Sequence, residues 1–118
     1  MAAPNIVNIT TMTGKTAVSL LTTVTSNVIT NSSGSSTVDK LNNIALTNYS
    51  ATSITANVMI NRSSTVYYLA GGVSVPGNST LILLGKDTTI YLEEGDVLQA
   101  NVSANTTTSM TASYEIIS

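Results

Sequence analysis

Three stretches of this chain alternate apolar and polar residues one by one. Ile54, Ala56, Val58 and Ile60 interleave with Thr55, Asn57 and Met59. Leu98, Ala100, Val102 and Ala104 interleave with Gln99, Asn101, Ser103 and Asn105, and Met110, Ala112, Tyr114 and Ile116 with Thr111, Ser113 and Glu115. A period of two is the pleat of a β-strand with one face on a core. A slip of one residue would turn every apolar side chain outward, so the pattern also dictates the register. It predicts that Ile54, Val58, Ile60, Leu98, Val102, Tyr114 and Ile116 face inward. Asn57, Asn101 and Thr111 then face out.

Weaker patterns over 37–48, 65–70, 80–84 and 88–92 are compatible with further strands, and the run Leu81-Ile82-Leu83-Leu84 reads as buried on both faces. Residues 16–28 place Ala17, Leu20, Leu21, Val24 and Val28 at helical spacing, but six Thr/Ser residues and Val18 on the polar side favour strand plus loop. Turn signals recur at intervals of about ten residues, as in sandwiches and barrels. They fall at Thr13-Gly14-Lys15, 31–36, 48–51, 61–64, Gly71-Gly72, Pro76-Gly77-Asn78, 85–87, 93–96 and 105–107. The sum is an all-β chain of seven to nine short strands in an even meander. Such a chain hides its edges by closing into an antiparallel β-sandwich, of jelly-roll or immunoglobulin-like type. Residues 1–118 form a single domain, with 1–12 read as either an N-terminal arm or an edge strand.

Composition agrees with strands: 20 Thr, 16 Ser and 12 Asn accompany abundant Val, Ile and Leu, while only 10 of 118 residues are charged. The chain has no Cys and no His. That removes disulfides, thiolate nucleophiles, the commonest general base and the usual zinc ligands. Four scattered cations, Lys15, Lys40, Arg62 and Lys86, form no stripe for a phosphate backbone, which argues against nucleic acid as a partner. No apolar run is long enough to span a membrane as a helix, and Met1-Ala2-Ala3-Pro4-Asn5 lacks the charge and apolar run of a signal peptide, so synthesis in a cytoplasm is expected. So few charges leave solubility to hydroxyls and amides, which suits a surface covered by partners.

Little chemistry stands out. Thr13-Gly14-Lys15-Thr16 matches the end of a phosphate-binding loop, but Ile9 stands where its first glycine belongs, so a plain turn is expected. Glu93, Glu94 and Asp96, with Asp87 nearby, are the one carboxylate cluster. They suit either a hard cation or, as the preferred reading, a solvated turn whose loss leaves folding intact. Tyr67 and Tyr68 point to opposite faces of one strand, as interface anchor or as core packing with the hydroxyl at the rim. Seven Asn-x-Ser/Thr triplets, at Asn8, Asn31, Asn48, Asn61, Asn78, Asn101 and Asn105, follow from composition and are not read as glycosylation sites. The expectation is a non-enzymatic protein with no catalytic, cofactor or metal site.

The segments Val66-Tyr67-Tyr68-Leu69, Val73 to Leu81, Ile90 to Leu98 and Ser113 to Ser118 resemble small virion structural proteins of tailed bacteriophages, cyanophage-like in character. So do the opening Ala3-Pro4-Asn5-Ile6-Val7-Asn8 and Gly14-Lys15-Thr16. The likeness covers about two-thirds of the chain and consists of strand-and-turn patterns. It implies a capsid decoration (cement) protein on the outer head surface, whose partners are the major capsid protein and itself, as a homotrimer. Its location would be the virion, after synthesis in the host cytoplasm. The alternatives are a tail, neck or fibre component, or a carbohydrate-binding host-recognition module, which would show exposed aromatics around a groove.

Overall fold

A computed structural model describes residues 11–85, 89–105 and 107–118. Those residues form nine strands and no helix: β1 (Met12–Leu21), β2 (Ser26–Thr30), β3 (Val38–Asn48), β4 (Ile54–Arg62), β5 (Thr65–Val75), β6 (Ser79–Leu84), β7 (Ile90–Leu92), β8 (Val97–Val102) and β9 (Thr108–Ile117). One sheet has the order β1-β9-β3-β6, with β7 also pairing β3; the other has the order β2-β8-β4-β5. Every pairing is antiparallel. The two sheets form the expected sandwich.

The connectivity is not a meander. Only β4 and β5 are sequence neighbours that pair, while β3 meets β6 and β7, β2 meets β8, and β1 meets β9. These pairs are nested, so the chain is one long antiparallel hairpin with its tip at Ser63-Ser64. Successive pairs fall alternately in the two sheets, which is a jelly roll and not the immunoglobulin-like arrangement. Both serines at the tip have positive φ (53° and 65°), as a two-residue hairpin turn of the primed type demands.

The three alternating stretches are β4, β8 and β9. Ile54, Val58, Leu98 and Val102 are buried, as expected. Ile60, Tyr114 and Ile116 are only half-buried; they sit towards the end of the sandwich where β4 and β9 finish. There Ile117 is buried instead, beside its cross-strand partner Val38. Met59, assigned to the polar side, is also buried.

Bulges account for the weaker patterns. In β3, Leu41 pairs with Tyr114 and Asn43 with Ser113, leaving Asn42 as an extra residue. Leu41 and Ile44, three apart, therefore both reach the core. In β5 one extra residue lies at Leu69 and another around Gly71-Gly72, so those glycines mark a bulge within a strand where a turn was expected. Gly72 takes φ +65° there. The run Leu81–Leu84 is an edge strand, not one buried on both faces, and its Ile82 is 57% exposed. Thr13-Gly14-Lys15 is likewise no turn: all three residues lie inside β1, paired to β9. Of the proposed arm, Met12 begins β1 and Thr11 exchanges two backbone hydrogen bonds of 2.9 Å with Ser118; residues 1–10 lie outside the described residues.

Candidate functional site

The acidic turn joins β7 to β8, and the structure gives its carboxylates separate tasks. Asp96 is buried and accepts from Arg62 Nε at 2.8 Å, from Arg62 Nη2 at 2.6 Å and from the Glu93 backbone N–H at 2.9 Å. Burial pushes its carboxyl up, but these bonds and the guanidinium charge outweigh it and hold the group below its usual range. The Arg62 guanidinium is held above its ordinary value, mainly by the Asp96 bond. Glu93, largely exposed, meets Arg62 Nη2 at 3.1 Å, and Glu94 accepts from the Ser36 backbone N–H at 2.9 Å.

A buried amide braces the same end. Asn31 Nδ2 donates to the carbonyls of Thr37 and Leu92, each at 3.0 Å, and Asn31 Oδ1 accepts from Ser35 Oγ at 2.6 Å. Its backbone exchanges hydrogen bonds with Asp96 and Gly95. The turn is thus a latch tying β2–β3 and β7–β8 to the β4–β5 hairpin, not a freely solvated loop. Asp87 lies outside the described residues. Among those described, no group of three or more acidic side chains is placed to hold a metal ion.

The Thr13–Thr16 segment is extended strand, opposite Ile116 to Ser113, and its backbone has no concavity for a phosphate. Lys15 instead sits within the field of Asp39, which is buried on β3. Burial pushes the Asp39 carboxyl up to about 6, with Lys15 pulling it down. The folded state then holds a proton more tightly than the unfolded chain. The associated stability is complete below the ordinary value near 3.8 and is lost as pH rises through about 6. Thermal melts from pH 4 to 8 should show stability falling across that window. In Asp39→Asn the slope should flatten, with a gain of roughly 1–2 kcal/mol at pH 8.

Neither Tyr67 nor Tyr68 enters the core: they are 59% and 62% exposed on the edge strand β5. Tyr67 lines an open cleft of about 400 Å³ with Ile60, Arg62, Ile90 and Tyr91. The cleft lies between β4–β5 of one sheet and β7 of the other.

The two outer faces differ in chemistry. On the β2-β8-β4-β5 sheet, amides satisfy one another: Asn101 Nδ2 donates to Thr25 Oγ1, Asn57 Nδ2 to Asn101 Oδ1, and the Gly72 N–H to Asn57 Oδ1, each at 2.8 Å. Gln99 Nε2 donates to Asn27 Oδ1, also at 2.8 Å. On the other sheet, register and alternation align Val18, Thr111, Ala45 and Ile82 in one outer row and Leu20, Ser109, Thr47 and Thr80 in the next. Thr16, Ser113 and Asn43 make a third. These rows carry no charge, and Val18 is 77% exposed. Beyond them a polar depression begins, lined in part by Lys40 and Glu115. Along the open side of β1, ten residues have no strand partner among those described.

Sequence reasoning found the tyrosines and the acidic turn but missed the charge-free rows and the cleft, which unite residues far apart in the chain. No protein-family model and no curated protein matches this chain.

Proposed function

We propose that this protein is a phage virion structural component, a capsid decoration protein that binds the outer head surface and strengthens the shell. The observation that carries this reading is the set of three charge-free rows on the outer face of β1, β9, β3 and β6, bordered by the β1 edge, which has no strand partner among the described residues. Val18, Leu20 and Ile82 are exposed on it among hydroxyls. Such a face associates at little desolvation cost, because it has no ions to strip of water. An open, regular edge strand adds backbone hydrogen bonding to a neighbour. Binding the assembled lattice in preference to free subunits stabilises the shell by mass action. The resemblance supplies the virion and threefold symmetry; the face supplies a means of attachment. This reading takes the protein as a non-enzyme with the major capsid protein and its own copies as partners.

The test joins purified protein to preformed capsids that lack it. Sedimentation should give a trimer at micromolar concentration, and the decorated shells should rupture several degrees higher than bare ones. Val18→Lys with Ile82→Glu changes only exposed positions, so it should leave the monomer folded while abolishing the gain in rupture temperature. Equal rupture temperatures with and without the wild-type protein would remove the cementing role, and recovery only in tail fractions would transfer it to the tail.

A further inference from the structure

Separately from that face, we propose that the cleft between β5 and β7 binds a neutral carbohydrate through Tyr67, Tyr91 and Arg62. Ile60 and Ile90 give it an apolar lining, and two tyrosines from different sheets line it as well. Tyr67 and Tyr91 are both partly open to solvent. A sugar ring presents C–H faces and hydroxyls in close alternation, and this lining offers the matching pair: aromatic faces with phenolic hydroxyls at their tips.

Arg62 adds a donor that is already fixed in place. Its Nε and Nη2 are engaged by Asp96 and Glu93, whereas Nη1 takes part in none of those bonds. A guanidinium anchored along one side by a buried carboxylate loses little freedom when a ligand hydroxyl meets the other. The Glu93 carboxylate beside it is an exposed acceptor.

Charge decides the ligand class. Two carboxylates stand within hydrogen-bond distance of the one guanidinium, at 2.6 and 3.1 Å, so among the described residues the cleft carries no net positive charge to attract phosphate or sulfate. Its volume of about 400 Å³ suits one or two sugar rings and is at the small end for organic ligands.

The experiment is an NMR titration of the ¹⁵N-labelled protein with methyl glycosides of glucose, galactose, mannose and N-acetylglucosamine, and with a disaccharide of each. At least one sugar should give saturable shifts at millimolar concentration, centred on the amides of Ile60, Tyr67, Ile90 and Tyr91. Tyr67→Ala and Tyr91→Ala should each weaken that binding at least fivefold, while Tyr67→Phe keeps most of it. Tyr49→Ala, at an exposed tyrosine outside the cleft, should change nothing. Both cleft tyrosines are surface residues; if either alanine variant misfolds, the serine variant takes its place. The proposal is overturned if no sugar saturates, if shifts centre elsewhere, if neither tyrosine matters, or if inorganic phosphate or sulfate occupies the cleft instead. Capsid attachment does not depend on this cleft, so Tyr67→Ala should still raise the rupture temperature of shells.

Discussion

Replacing Arg62 by Met should lower the unfolding free energy by about 3–5 kcal/mol at pH 7, the usual cost of leaving a buried charge without its partner. Asp96 is 1% exposed and has lost its place in water. Without Arg62 it keeps, among the described residues, only the Glu93 N–H. Urea unfolding at pH 7 measures the loss. Glu93→Gln should cost less than about 1 kcal/mol, because Glu93 is a solvent-exposed partner in the same ion pair. The double variant Arg62→Met with Asp96→Leu should recover much of the loss, since it removes both charges together. Acidity gives an independent check. The folded Asp96 carboxyl lies below its ordinary value near 3.8, so its contribution is present above that value and disappears as pH falls through the lowered one. Asp39 acts in the opposite sense and in a higher window. Wild type should therefore be most stable near pH 4, where Asp39 is mostly protonated and Asp96 still ionised. If Arg62→Met and Glu93→Gln are equally mild, Asp96 is not buried as described.

The strands that were legible are those whose backbone runs without an inserted residue. β4, β8 and β9 pair with neighbours on both sides, so one set of their side chains must be apolar and the pattern survives. β3 is equally central, yet its bulge at Asn42 moves Ile44 out of step with Leu41, and the alternation fades at the residues that are most buried. The edge strands misled for another reason. β1 admits Gly14 and Lys15 because an edge is held from one side only, and β6 carries an extra residue at Leu83 and leaves Ile82 on the outer face. The glycine pair in β5 is a turn signal by composition and a bulge in fact.

Function was less legible than fold. In the sequence Glu93, Glu94 and Asp96 are three equivalent carboxylates near a glycine; only the folded chain places Asp96 inside and Glu93 outside. One signal was available: Arg62 is the single arginine, and the acidic turn is the single acidic cluster. The cleft draws on Ile60 and Arg62, Tyr67, and Ile90 and Tyr91, which come together only through the nested pairing of a jelly roll. The charge-free rows depend on the β1·β9·β3·β6 register in the same way. Such surfaces exist across strands, so no reading along one strand detects them.

At the opposite end of the sandwich, Asn48→Ala should destabilise by about 3 kcal/mol, through carbonyls left without donors. Asn48 is fully buried at the end of β3. Its Nδ2 donates to the carbonyls of Thr52 at 2.9 Å, Val75 at 3.1 Å and Pro76 at 3.3 Å, three acceptors for two hydrogens, so one bond is shared. Its Oδ1 accepts from the Ser50 N–H at 3.1 Å and from Ser50 Oγ at 3.0 Å. One side chain therefore joins the β3–β4 loop to the β5–β6 turn, where Asn78 N–H also donates to the Ser50 carbonyl at 2.8 Å. The two segments lie so close that a Cβ at Gly77 would overlap the Ala51 carbonyl and come within 2.9 Å of the Ser50 oxygen. Backbone meets backbone there, so no rotamer change relieves the contact, and Gly77→Ala should cost roughly 2–3 kcal/mol. Asn48→Asp is the sharper control: it preserves the shape and the acceptor but removes both N–H donors and adds a buried charge. It should be at least as damaging as alanine. Chemical unfolding of the three variants settles the point, and an Asn48→Asp protein as stable as wild type would mean that the loops are held by packing and not by the amide.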